Sequence, residues 1–170
     1  ATGISGATGS TPVTSVPVDP GTYVLAEADG PAGYDASDWS CDGGDLTGAS
    51  VTVALGDDVT CTINNNDQPV QLTLVKVVEN GTSGATATKA DWTLTATGDD
   101  NTVTGPGDSD DIVNQTVNAG DYELAETGGP GGYDASDWDC GDADLAGATV
   151  TLPNGGNVTC TITNTAMAPQ

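Results

Sequence analysis

Apolar and polar residues alternate with a period of two over short stretches of this chain, and Gly, Pro, Asn and Asp punctuate them. In "VQLTLVKVV" (70–78), Leu72, Leu74, Lys76 and Val78 share one face; in "DYELAE" (121–126), Tyr122, Leu124 and Glu126 do; in "VTCTITN" (158–164), Cys160, Ile162 and Asn164 do. The pattern predicts strands at 70–78, 90–97, 111–117, 121–126, 147–152 and 157–164, with equivalents of the last four earlier in the chain. Asn80-Gly81 reads as a hairpin turn, "GDDNTVTGPGD" (98–108) as a loop and "GGPGGYDASDW" (128–138) as a Gly/Pro-rich excursion. Short strands with such turns imply an all-β fold of antiparallel β-sandwich, Ig-like type.

The chain repeats itself. "YVLAEADGPAGYDASDWSC" (23–41) returns as "YELAETGGPGGYDASDWDC" (122–140), and "VTCTINN" (59–65) as "VTCTITN" (158–164), at an offset of 99 residues (126 less 27, 140 less 41). A period of that length is domain-sized, so each copy owns a core. The expected organisation is an incomplete first repeat at 1–66, a complete second repeat at 67–166, and the start of a further repeat or a linker at 167–170. The first repeat has no counterpart of residues 70–99, and so no counterpart of the lysine strand. The chain therefore reads as a slice of a longer array, its first repeat completed by neighbouring sequence or by another chain. The short junction "NNNDQP" (64–69) suggests a semi-rigid rod.

Charge narrows the functions. The net charge is −23, with two Lys, no Arg and 25 acids, 21 of them Asp. So few cations exclude a nucleic-acid surface and disfavour an anionic membrane. No apolar run is long enough to cross a bilayer. The acids read chiefly as a solvated extracellular surface. Asp-rich "GDDNTVTGPGDSDD" and "DASDWDCGDAD" are low-ranked Ca²⁺ candidates without the spacing of an EF-hand loop. There is no His, no metal cluster and no phosphate-binding loop with a basic residue, so nothing points to an enzyme.

Each repeat carries two Cys 20 residues apart in matching surroundings. Because equivalent domains must fold alike, the expected disulfides are Cys41–Cys61 and Cys140–Cys160, which place the chain in an oxidising, extracellular setting at a cell surface or secreted.

The three inward faces above each include one polar residue: Lys76, Glu126 and Asn164. Burying them unpaired costs several kcal/mol apiece, so the trio is either put to use or arranged as a buried salt bridge, with the lysine alternatively reaching for the edge. Only four Glu occur among the acids, yet Glu27 and Glu126 occupy equivalent positions.

The "LVK" of the first strand, the "Y-x-L-x-E" strand and the terminal "T-x-T-N" resemble the prealbumin-like (CnaB-type, SpaA-like) domains of Gram-positive surface adhesins and pilins. The resemblance implies a self-formed isopeptide bond in which Lys76 attacks the side-chain carbonyl of Asn164, while a protonated Glu126 polarises that carbonyl and relays protons. In the first repeat Glu27 and Asn65 match Glu126 and Asn164, with Asn64 and Asn66 adjacent and the lysine missing. The implied function is a structural module of a stalk, adhesin or filament, whose partners are neighbouring repeats or identical subunits. The alternative is a module binding a host or surface glycan through Trp39 and Tyr34, or Trp138 and Tyr133; these aromatics read more simply as core cover beside the disulfide.

Overall fold

The computed structural model of the chain describes residues 3–82 and 84–168. Expectations touching Ala1, Thr2, Ser83, Pro169 and Gln170, including the end of the 167–170 segment, lie outside the described residues. The chain forms two compact units, residues 1–66 and 67–170. Both are built of β-strands, and no α-helix occurs among the described residues.

Unit 1 contains β1 (Gly21–Val24), β2 (Tyr34–Ala36), β3 (Ser40–Asp42), β4 (Asp45–Thr47), β5 (Ser50–Val53), β6 (Thr60–Thr62) and all but the last residue of β7 (Asn65–Asp67). They pair as a three-stranded sheet β1-β5-β4 and as the two-stranded pairs β2-β7 and β3-β6.

Unit 2 contains β8 (Val70–Glu79), β9 (Trp92–Thr97), β10 (Thr102–Pro106), β11 (Gln115–Val117), β12 (Gly120–Gly128), β13 (Tyr133–Ala135), β14 (Asp144–Ala146), β15 (Thr149–Leu152) and β16 (Asn157–Ala166). One sheet runs β10-β9-β12-β15-β14 and the other β11-β8-β16-β13. The period-two faces meet between them: Leu72, Leu74, Cys160 and Ile162 from one sheet pack with Leu94, Ala96, Tyr122, Leu124, Val150 and Leu152 from the other. Burying a side chain of this size stabilises by roughly 1.5–3 kcal/mol, which makes this cluster the main source of unit 2's stability.

The antiparallel expectation holds for most pairs, but β8 and β16 run parallel, with Ile162 opposite Lys76 and Asn164 opposite Val78. The first and last strands of the unit are thus immediate neighbours.

Other expectations are corrected. Residues 98–108 are not a loop throughout, because Gly98 and Asn101 close a turn and β10 pairs back on β9; its Thr102-Val103-Thr104 alternation is too short to stand out from the flanking Gly, Pro and Asp. Residues 111–117 are not one strand: a 3-10 turn at Asp110–Ile112, with Ser109 Oγ accepting from the Asp111 amide, precedes β11. Asn114 between them has φ 50°, a left-handed conformation that breaks strand pairing. Asn80-Gly81 does turn the chain, but β8 and β9 belong to different sheets, so it is not a hairpin. The equivalent of 111–117 in unit 1, residues 12–18, forms no strand. In unit 2 β11 pairs on β8, and unit 1 has no such strand to pair with.

Candidate functional site

Lys76 is delivered by the alternation of β8, which buries Val70, Leu72, Leu74 and Lys76 in turn. Asn164 lies on the same face of neighbouring β16, one residue pair further along. Glu126 arrives from β12 in the opposing sheet. The sandwich therefore brings all three polar interruptions to one place at the edge of the core.

The Lys76 Nζ donates to Asn164 Oδ1 at 2.7 Å and to the Val77 carbonyl at 3.2 Å. It also stands 2.9 Å from Glu126 Oε2, the side chains being 0% and 11% exposed. Asn164 is buried and its Nδ2 donates to Glu126 Oε1 at 2.8 Å. The three groups form a closed triangle. Glu126 Oε2 is buried without an aligned hydrogen-bond donor, so the adjacent lysine is what offsets its desolvation.

Desolvation pushes the Lys76 pKa below its ordinary 10.5, and the Glu126 carboxylate pulls it part of the way back. Burial wins because the pair lies in a site where water is largely excluded. A lysine whose pKa is lowered in this way has a larger share of the neutral, nucleophilic amine.

The lysine is roofed by Trp92, whose ring centroid is 4.8 Å from Nζ. Trp92 is held edge-on by Tyr133, with centroids 5.2 Å apart, and the Tyr133 hydroxyl donates to Asn80 Oδ1. Two glycines make room. A Cβ on Gly129 (φ +80°) would overlap the Trp92 indole, and one on Gly107 would lie 2.6 Å from Lys76 Cβ. Sequence reasoning missed all three. Trp92 heads the apolar alternation Trp92, Leu94, Ala96, a visible signal; the glycines show up only once the packing is known.

In unit 1 Asn65 Nδ2 donates to Glu27 Oε1 at 2.7 Å, reproducing the Asn164–Glu126 contact. Both residues are exposed, and among the described residues no lysine forms an ion pair with Glu27. The disulfides Cys41–Cys61 and Cys140–Cys160 are both formed. Cys140 and Cys160 belong to the core cluster, with Trp138 packed against it, while Tyr34 is exposed and Trp39 half-buried. Among the described residues no group of three or more acidic or Cys side chains is gathered as a metal site.

No curated protein and no solved structure matches the chain. A family model described as a prealbumin-like fold domain, of SpaA type, matches residues 1–63 and again 67–162. With the sandwich, the paired repeats and nearly the whole length covered, this chain belongs to the SpaA-type prealbumin-like fold domains.

Proposed function

We propose that the chain is a force-carrying structural segment of a secreted or cell-surface stalk, adhesin or filament, and that unit 2 closes itself with an isopeptide bond between Lys76 and Asn164. The carrying observation is the triangle of Lys76 Nζ, Asn164 Oδ1 and Glu126 around a buried amide.

The reaction needs no external reagent. Moving a proton from Nζ to Glu126 Oε2 turns a buried ion pair into a neutral amine and a carboxylic acid, which a low-dielectric site favours. The amine nitrogen then attacks Asn164 Cγ, the Cγ–Nδ2 bond breaks, and the nitrogen leaves as ammonia carrying protons relayed by the Glu126 carboxyl. Glu126 Oε1 already accepts from Nδ2, the nitrogen that departs. This contact supports the proton-relay part of the role that the family resemblance implies for Glu126. Folding supplies the effective concentration. The event is a single self-modification, so the product is a stapled domain and not a turnover enzyme.

The mechanical use follows from topology. β8 and β16 are the first and last strands of the unit, adjacent and parallel, so a pull on the two ends loads their hydrogen bonds in shear. A bond from Lys76 to Asn164 bypasses residues 77–163 entirely. Pulling single molecules by their termini tests this. Unit 2 should release no contour length in the native chain, and should release it in Lys76→Met. Equal extension of both would refute the reading. The two disulfides fit the same oxidising, extracellular location. Binding of a glycan through Trp39 and Trp138 is the weaker reading, because Trp138 is packed against the core.

A further inference from the structure

The segment "YDAS" occurs at 34–37 and again at 133–136, and in both units its serine grips the residue just before the asparagine that pairs with Glu27 or Glu126. The Ser136 amide donates to the Thr163 carbonyl at 2.8 Å. The Ser136 Oγ accepts from the Thr163 amide at 3.1 Å while donating to the Asp137 carbonyl at 2.7 Å. In unit 1 the Ser37 amide donates to the Asn64 carbonyl at 2.7 Å, and Ser37 Oγ accepts from the Asn64 amide at 3.0 Å while donating to the Asp38 carbonyl at 2.8 Å. The serine hydroxyl thus stands in for a backbone carbonyl where β13 ends, so the chain turns away without leaving the Thr163 amide unpaired. One position earlier, Ala135 lies directly opposite Asn164. Further on, Asp139 and Thr161 exchange backbone hydrogen bonds and Cys140 is bonded to Cys160. Residues 133–140 therefore fasten β16 from Cys160 to Ala166 on the edge away from β8.

The other end of the segment reaches the amine. Tyr133 meets Trp92 edge-on, and Trp92 covers Lys76 Nζ. The Tyr133 hydroxyl donates to Asn80 Oδ1 and accepts from the Ala87 amide at 3.3 Å, while Asn80 Nδ2 donates to the Ala87 carbonyl at 3.1 Å. This ring of contacts closes the 80–87 excursion between β8 and β9 against β13. The backbone around Trp92 is held as well, since the Gly107 amide donates to the Trp92 carbonyl at 2.9 Å and the Gly129 amide to the Asp91 carbonyl at 2.7 Å. The indole is fixed both through its main chain and along its edge.

We propose that Tyr133–Ser136 is a positioning strap for the linking reaction, holding the Trp92 roof over the Lys76 amine with one end and the backbone of Asn164 with the other. The need follows from where the reaction sits. Asn164 and Val78 form the last register pair but one between β16 and β8, and strand ends open at little cost. Linking requires Nζ and Asn164 Cγ to keep their contact while a proton passes to Glu126 and the Cγ–Nδ2 bond breaks, and fraying of β16 defeats that geometry. β8 secures one edge of β16; the strap secures the other. Tyr133 and Ser136 act through Trp92 and Thr163, not on the reacting atoms. The inference rests on the self-linking proposed for unit 2.

The test recovers unlinked chain in denaturant, refolds it under oxidising conditions and follows the loss of one ammonia by intact mass. The rate is read once Trp fluorescence shows folding complete, at a temperature where every variant is fully folded. Ser136→Ala and Tyr133→Phe should each slow linking roughly tenfold, short of the hundredfold that a displacement of about 1 Å costs. Ser136→Thr, which keeps the hydroxyl, should link at the native rate, and so should Ser37→Ala, which removes the same contacts from unit 1. A merely structural role would lower the melting temperature of Ser136→Ala and Tyr133→Phe but leave their linking rates in the folded chain unchanged. That result, with the native chain losing its ammonia in the same experiment, overturns the strap and leaves the self-linking standing. Slow linking in Ser136→Thr would also overturn it, because the hydroxyl would then not be the grip. If the native chain itself keeps its full mass, the self-linking fails and the strap with it.

Discussion

Replacing Lys76 by Met and Glu126 by Gln together separates the covalent account from an ordinary buried ion pair, because the double change leaves no buried charge unpaired. Met keeps the length and apolar stem of Lys76, and Gln keeps an oxygen to accept from Asn164 Nδ2 as Glu126 does. If Lys76 and Glu126 contribute only a salt bridge, exchanging the whole buried pair for neutral side chains of similar volume is close to neutral. If it is crosslinked, the variant loses a covalent loop closure. The two residues are 88 apart in sequence, and the disulfide shortens that loop by its 20-residue separation, leaving about 68 residues. The chain-entropy relation then gives about 4.4 kcal/mol at 25 °C. With an unfolding entropy of about 0.2 kcal/mol/K for a domain of roughly 100 residues, the Lys76→Met, Glu126→Gln double variant should lower the melting temperature of unit 2 by about 20 °C. Differential scanning calorimetry under non-reducing conditions, with the unit 1 transition as internal reference, measures it. A variant that melts at or above the native temperature refutes the crosslink.

Three further outcomes are expected. Mild reductant should open Cys41–Cys61 well before Cys140–Cys160, since Cys61 is half-buried where Cys160 is fully buried; differential alkylation reads the order, and simultaneous reduction would contradict it. Gly129→Ala should cost roughly 1–3 kcal/mol through collision with Trp92 at a positive φ, seen as a lower melting temperature and altered Trp fluorescence, whereas an unchanged melt would mean that the roof over Lys76 is not tightly packed. Freshly refolded, unlinked chain should link more slowly as pH falls. Burial lowers the Lys76 pKa from 10.5, so the folded chain binds fewer protons than the unfolded one between the folded value and 10.5. Over that window both unlinked stability and the neutral amine increase with pH, and a linking rate that falls with rising pH would exclude attack by the amine.

The sequence disclosed the site more readily than the framework around it. Lys76, Glu126 and Asn164 each interrupt a period-two apolar face, and that local pattern alone puts them inside. Which strands adjoin was not legible: parallel pairing of β8 with β16 is a long-range outcome, and alternation looks the same in either direction. β10 was hidden because its few strand residues sit among turn formers, and residues 12–18 were read as a strand because the pattern is present while its pairing partner is not. Trp92 carried a signal in its alternation. Gly107 and Gly129 carried none, since a glycine that yields space to a neighbour looks in sequence like any glycine in a turn.

The central claim is that the Lys76 amine has become an amide. Intact mass of the native chain after reduction and alkylation, followed by tandem mass spectrometry of a proteolytic digest, reports on it directly. The expected result is a chain lighter by one ammonia, a branched peptide joining Lys76 to Asn164, and full mass restored in Lys76→Met and Glu126→Gln. A native chain at its full calculated mass, with Lys76 recovered in a linear peptide, would contradict the account.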